Sequence, residues 1–325
     1  MKIYGFVAAL GGLIFSAQSF ASGTVTGSVD PVNGMLTTSA PLSYTYPKID
    51  GTTIPVVKGN TVYKASLAVG GVTRDYLVMR PSTVTAGAPL LILLHPRYTS
   101  PAQMANLTKV ANFQGTLGFW VALPYSTTAE NTQWHSDPRT DPADDVQFVS
   151  ALIDALSAQG VDASRVYAAG YSEGGMMSER LACELPDKIA AFGLDAATLL
   201  TDATTYCHPS IQRPKLYILG TADNNVPYDG GRIGLMSAAQ TLSFWSAQQG
   251  CGGTMASMLP TLVNDGTTVQ LTDATGCTAG GDLRLYTVYN GGHAWPNGLT
   301  QAAGKTTQNL DATGIIWSFA SAYRK

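Results

Sequence analysis

Apolar residues along this chain gather in short continuous runs separated by stretches of helical period. Pro89 to Leu94, leading to His95, is apolar throughout, and Phe119 to Leu123 is a second run of that kind. A run without polar alternation reads as a strand buried on both faces, as in a parallel sheet. Arg165 to Ala169, Ile189 to Leu194, Lys215 to Leu219 and Leu283 to Val288 supply four further strand candidates. Between them, Val149, Leu152, Ile153 and Leu156 recur at i, i+3, i+4 and i+7, which gives one apolar helix face. Asp141-Pro142 predicts the start of that helix, because Asp caps it and Pro fits its first turn. Asp144 and Asp145 suit the positive end of its dipole. Leu235, Ala238, Ala239, Leu242 and Trp245 mark another helix, stopped at Gly250, and Ile316, Phe319 and Tyr323 mark a closing one. Upstream, Val62 to Val69 and Val72 to Met79 flank Gly70-Gly71 as a β-hairpin. Alternation of strands and helices from residue 89 onward predicts a mostly parallel sheet with helices on both faces.

The first 60 residues depart from this pattern. Lys2, the apolar stretch Ile3 to Phe15 and the small residues of Ser19-Phe20-Ala21 have the layout of a secretory signal peptide. The apolar stretch is well short of the roughly 20 residues a spanning helix needs, and no later stretch is long and apolar enough. Residues 22–60, punctuated by Pro31, Pro41, Pro47 and Pro55, predict loops and short strands packed on the main domain. The expected division is therefore a signal peptide over 1–21, a loop-rich segment over 22–60 and a catalytic domain over 61–325. The protein is expected to be secreted, extracellular or periplasmic, after cleavage near Ala21.

Composition narrows the partners. The 325 residues carry a net charge of −3 with no basic cluster, which argues against nucleic acid. All four cysteines, Cys183, Cys207, Cys251 and Cys277, follow the predicted cleavage site. An even number in an exported chain predicts two disulfides with three possible connectivities. Sequence order favours Cys183–Cys207 and Cys251–Cys277 as the simplest pairing. With no Cys-x-x-Cys pair and scattered histidines, no metal site is expected, and nothing calls for another cofactor.

The chemistry centres on Gly170-Tyr171-Ser172-Glu173-Gly174-Gly175, which joins the run at Arg165 to a helix predicted over Met176 to Leu185. A strand turning sharply into a helix with Ser at the apex is a nucleophile elbow; the bland alternative is a Gly-rich turn. The elbow strains the serine, and side chains two positions either side would collide. A serine nucleophile needs a base, and the base a partner that fixes its tautomer. In an α/β-hydrolase these follow in the order Ser, Asp or Glu, His. Two histidines follow Ser172: His208 adjoins Cys207 with no strand before it, whereas His293 lies in the loop after the last strand. His293 is the favoured base. Asp223 is the favoured acid, because Lys215 to Leu219 leads into Gly220-Thr221-Ala222-Asp223; Asp195 is its nearest competitor. Two backbone donors must hold the oxyanion. One is the amide of Glu173. The other falls on the His95-Pro96-Arg97-Tyr98-Thr99-Ser100 loop, at Arg97 or later because Pro96 has no N–H, with Arg97 the favoured donor.

Several motifs together resemble the polyhydroxybutyrate depolymerase and feruloyl esterase family. They are Asp144-Asp145-Val146, Gly170 to Met177, Leu181-Ala182-Cys183-Glu184, Gly220 to Asp223 with Val226-Pro227-Tyr228, and Gly292-His293-Ala294-Trp295-Pro296. The resemblance runs from about residue 62 to the C-terminus. It implies an α/β-hydrolase esterase with Ser172 as nucleophile, Asp223 as acid and His293 as base. It also implies that Trp295 lines the substrate pocket and that Cys183 pairs with Cys207. The family's loop reads His-Gly-Cys-Gly-Gln, whereas this chain has His95-Pro96-Arg97-Tyr98-Thr99, of equal length but bulkier and charged. No linker or separate binding module is visible, so a polymer surface would have to be met by the catalytic domain itself. Trp120, Trp134, Trp295 and Tyr98 are candidates for an aromatic substrate cleft. The expected substrate is a short-chain hydroxyalkanoate polymer or oligomer; feruloyl or acetyl esters on plant polysaccharide are the alternative. A catalytically inactive binding protein on the same scaffold is the reading from another class.

Overall fold

A computed structural model describes residues 27–29, 36–38, 61–80, 87–126, 133–140, 145–232, 234–298 and 304–325. The strands are β1 (Gly27–Val29), β2 (Leu36–Thr38), β3 (Thr61–Val69), β4 (Val72–Arg80), β5 (Ala88–Leu94) and β6 (Trp120–Pro124). They continue as β7 (Val161–Tyr171), β8 (Ala191–Asp195), β9 (Lys215–Gly220), β10 (Gly253–Met258), β11 (Thr268–Thr275) and β12 (Leu283–Tyr289). The helices are α1 (Pro101–Thr108), α2 (Val110–Leu117), α3 (Asp145–Ser157), α4 (Glu173–Glu184), α5 (Ala238–Gln248) and α6 (Ala312–Ala320). Strands β1 and β2 form a small antiparallel ribbon. The predicted signal peptide over 1–21, and the rest of 22–60, lie outside the described residues.

Ten strands form one sheet in the order β10-β11-β12-β9-β8-β7-β5-β6-β4-β3. Its centre is parallel, from β6 through β5, β7, β8 and β9 to β12. The apolar run of β5 shows why. Leu91 and Leu93 pack into the layer formed with α1, α2 and α6, while Leu90, Ile92 and Leu94 pack with α3, α4 and α5. Side chains alternate across a strand, so a strand covered by helices on both faces must be apolar at every position. The result is an α/β-hydrolase sheet. Parallel strands all end at one edge, and every loop that carries predicted chemistry leaves from that edge.

Antiparallel strands at both margins depart from simple alternation. The hairpin β3–β4 joins β6, and β10–β11 extends the sheet beyond β12. All six β10 residues are exposed, so burial impressed no alternating pattern on Gly253–Met258. Helices α1 and α2 also interrupt the chain between β5 and β6. Their start carries a local signature: Ser100 and Gln103 form a reciprocal capping box, with Pro101 in the first turn. The predicted cap at Asp141-Pro142, and Asp144, lie outside the described residues. Asp145 does more than face the dipole of α3. It is buried, with Oδ1 2.5 Å from Arg74 Nη2 and Oδ2 accepting from the His135 amide at 2.9 Å.

Both disulfides form in the pairing that sequence order favours, Cys183–Cys207 and Cys251–Cys277. They close loops of 24 and 26 residues. Loop-closure entropy assigns each about 3 kcal/mol of stability. Cys183→Ser with Cys207→Ser is therefore expected to lower the unfolding free energy from denaturant titration by that amount. A shift below about 1 kcal/mol would show that α4 is held by packing alone. Among the described residues, no helix is long and apolar enough to cross a membrane.

Candidate active site

Strand β7 ends at Tyr171 and α4 begins at Glu173, so Ser172 makes the turn alone. Its backbone sits at φ 55° and ψ −122°, a strained conformation worth roughly 1–3 kcal/mol. The surroundings enforce it. The Ser172 amide donates to the Asp195 carbonyl at 2.9 Å, and the Ser172 carbonyl accepts from the Met176 amide at 3.0 Å. Glycine is required on both sides. A Cβ on Gly170 would stand 2.1 Å from the Gly174 carbonyl oxygen, and one on Gly174 would stand 2.2 Å from the Leu94 carbonyl oxygen. Those neighbours are backbone and cannot step aside. Gly174→Ala is expected to cost more than about 3 kcal/mol in chemical denaturation, above the usual overpacking range because the clash is with main chain. A cost under about 1 kcal/mol would mean that the elbow is looser than drawn.

The residues predicted as acid and base meet the serine. His293 Nε2 lies 2.9 Å from Ser172 Oγ, and His293 Nδ1 lies 2.7 Å from Asp223 Oδ2. Asp223 is buried, and its Oδ1 accepts from the amides of Asn225 at 2.7 Å and Val226 at 2.9 Å. A carboxylate offers only acceptors, so Nδ1 carries the proton between it and the ring. That leaves Nε2 free to accept the serine proton. Tyr171 supports the imidazole from beneath, donating its hydroxyl to the His293 carbonyl at 2.9 Å. His208 is exposed, in the segment after Cys207.

Asp195, at the end of β8, is completely buried, with Oδ2 lacking a partner among the described residues. Burial, reinforced by the Asp223 charge, pushes its carboxyl well above the usual range. Of these two carboxylates, Asp223 is the one bonded to the imidazole.

Opposite the triad stands the His95–Ser100 loop. The amides of Glu173 and Arg97 meet no acceptor among the described residues. Tyr98 adopts φ 60°, the left-handed region that glycine occupies freely, so the loop makes a glycine-like bend there. Its ring is substantially exposed. His95 is buried and neutral, its pKa driven down to about 4 by burial. Its Nδ1 donates to the Pro96 carbonyl at 2.9 Å, and its Nε2 accepts from the Ser126 amide at 3.3 Å.

The tryptophans require a correction. Trp120, Trp134 and Trp295 are 1%, 3% and 1% exposed, so none offers a face on which substrate could lie. Trp134 donates its indole N–H to the His95 carbonyl at 2.8 Å, and Trp295 donates to Thr313 Oγ1 at 3.0 Å. Trp134 and Trp295 thus each bury a large ring while satisfying its one polar atom, which fixes a loop of the site from below. The sequence placed them near the chemistry but could not show which way they face. The Arg97 side chain, visible in the sequence only as added bulk and charge, has a partner in the fold. It pairs with Glu173, Nε and Nη2 lying 2.8 and 2.6 Å from Oε1.

Such a sheet, with a serine at the sharp turn after one strand and its histidine and aspartate after two others, defines an α/β-hydrolase. Comparison with known proteins specifies it further. Residues 74–212 match the family described as Esterase PHB depolymerase. A protein described as "Putative esterase NocK", from Nocardia uniformis subsp. tsuyamanensis, is 32% identical over 75% of this chain and 76% of its own length. Feruloyl esterase B of Piromyces equi is 33% identical over 69% of this chain, a match that spans 43% of that protein. The solved acetyl xylan esterase from Aspergillus awamori shares the fold with a TM-score of 0.58, at 12% identity over 72% of this chain and 94% of its own. The chain belongs to the polyhydroxybutyrate depolymerase and feruloyl esterase family of carboxylic ester hydrolases.

Proposed function

We propose that this protein is a secreted serine esterase that works through an acyl-enzyme on Ser172. The observation that carries the reading is the continuous hydrogen-bonded chain from Ser172 Oγ through His293 to Asp223. As Oγ attacks the ester carbonyl, His293 Nε2 takes its proton, and Asp223 stabilises the imidazolium. The carbonyl oxygen, now an oxyanion, is received by the amides of Glu173 and Arg97. His293 returns the proton to the departing alcohol. Water, activated by the same imidazole, then releases the acid.

Short-chain hydroxyalkanoate polymers or oligomers are the substrates we assign first, on the matching family model. The relative named feruloyl esterase B supports a second reading, acyl groups on plant polysaccharide. Secretion is supported by the leader-like residues 1–21 and by the two disulfides, which persist in oxidising compartments. The proposed catalytic unit is 61–325, preceded by the loop-rich segment 22–60. A panel of hydroxybutyrate oligomers, methyl ferulate and acetylated xylan decides the substrate class. Hydrolysis of feruloyl or acetyl esters without hydroxybutyrate oligomers would reverse the order.

A further inference from the structure

Beside the proposed oxyanion site, four residues form a closed ring of contacts. The His95 carbonyl accepts from Trp134 Nε1 at 2.8 Å, and the Trp134 amide donates to Glu173 Oε2 at 3.1 Å. Glu173 Oε1 takes both Arg97 contacts, and Arg97 leads back through Pro96 to His95. The ring spans three segments: the loop after β5, the loop at 133–136 and the first turn of α4. Two of its four members are the residues whose amides the proposed mechanism uses.

A difficulty in the chemistry gives the ring its purpose. Glu173 sits one residue after the nucleophile, 4% exposed. A carboxylate there would repel the negative charge that develops on the carbonyl oxygen, and low local dielectric strengthens the repulsion. Its neighbour Arg97 supplies the compensating charge. Burial pushes the Glu173 carboxyl above its usual range, and the Arg97 guanidinium and the Trp134 amide pull against that shift. A buried ion that loses its only counter-charge becomes a liability, whereas removing both partners together can be nearly neutral.

We infer that the Arg97 side chain is a positioning and charge-compensating residue. It neutralises Glu173 and, through the ring with Trp134 and His95, sets the spacing between the two oxyanion donors. It need not touch the substrate. The ion pair holds the His95–Ser100 loop against the first turn of α4. The inference rests on the reading of the Glu173 and Arg97 amides as oxyanion donors.

The test is a double-mutant cycle on the full chain, with p-nitrophenyl acetate as the probe substrate. Arg97→Met keeps side-chain length and removes charge. It is expected to lower kcat by about 10- to 100-fold with KM little changed, since the interaction strengthens only as the oxyanion forms. Arg97→Met with Glu173→Gln is expected to recover several-fold of that loss, because the uncompensated carboxylate is gone. Arg97→Lys, retaining charge but not the paired contacts, is expected to fall between Arg97→Met and the parent. Thermal melting of each variant reports on folding. Equal kcat in Arg97→Met and the parent would overturn the inference. So would a double variant no better than the single, or a rise in KM at constant kcat, which marks substrate contact. Ser172→Ala tests the underlying reading separately: retained turnover in that variant would remove the mechanism itself, whatever Arg97 does.

Discussion

Replacing Ser172 by Ala is expected to reduce kcat for p-nitrophenyl acetate by about 10⁶-fold while leaving the fold intact. The size follows from what the oxygen does. Ser172 Oγ is the atom that His293 Nε2 faces at 2.9 Å, and no other hydroxyl is placed there by the elbow. Without it, the imidazole and the proposed oxyanion amides can still bind an ester but cannot form the acyl intermediate. Labelling by a fluorophosphonate should vanish in the same variant. Stability should change little, because the side chain contributes one hydrogen bond, worth about 1 kcal/mol. Ser172→Gly carries the argument further. It removes the proposed nucleophile and also relieves a non-glycine φ of 55°, so an inactive protein should melt at or above the parent temperature. Such a gain would show that the strain belongs to the function. Residual activity above about 1% in Ser172→Ala would exclude Ser172 as the nucleophile.

Asp223→Asn is expected to cost about 10⁴-fold in kcat with an unperturbed fold. The two amides of Asn225 and Val226 dictate the outcome, because they converge on Oδ1. An asparagine must leave its carbonyl oxygen there, which turns its NH₂ toward His293 Nδ1. That nitrogen then accepts a proton contact, so the ring proton moves to Nε2, the position that should receive the serine proton. The tautomer is inverted and the imidazolium loses its counter-charge. Asp195 offers no replacement, since burial pushes its carboxyl well above the usual range and its Oδ2 has no partner among the described residues. A loss smaller than about tenfold would mean that the aspartate only braces the loop. The pH–rate profile separates the two cases, because only the tautomer account predicts recovery in strong base.

What was legible in the sequence is what burial and order impress on it. A central strand such as Leu90–Leu94 must be apolar at every position because helices cover both faces. The glycines around Ser172 must lack a Cβ because carbonyls stand where it would be. Chain order then singled out Asp223 and His293, since parallel strands deliver their following loops to one edge. The less legible parts are those on which burial leaves no mark. The β10 edge strand is solvated along its whole length, so its residues carry no period. Trp134 and Trp295 lie in the right loops, yet direction is a property of packing, and both turn inward.

The sequence by itself determined the fold class, the order of the candidate triad and the esterase family, because each is written in periodicity, spacing or local motif. Only the tertiary structure decided how Ser172, His293 and Asp223 meet and that Asp195 is shut out. It alone turned the departure at His95–Ser100 into an ion pair between Arg97 and Glu173. Those residues are 76 positions apart in the chain. Their contact depends on two neighbouring parallel strands ending side by side, a relation that no local pattern encodes.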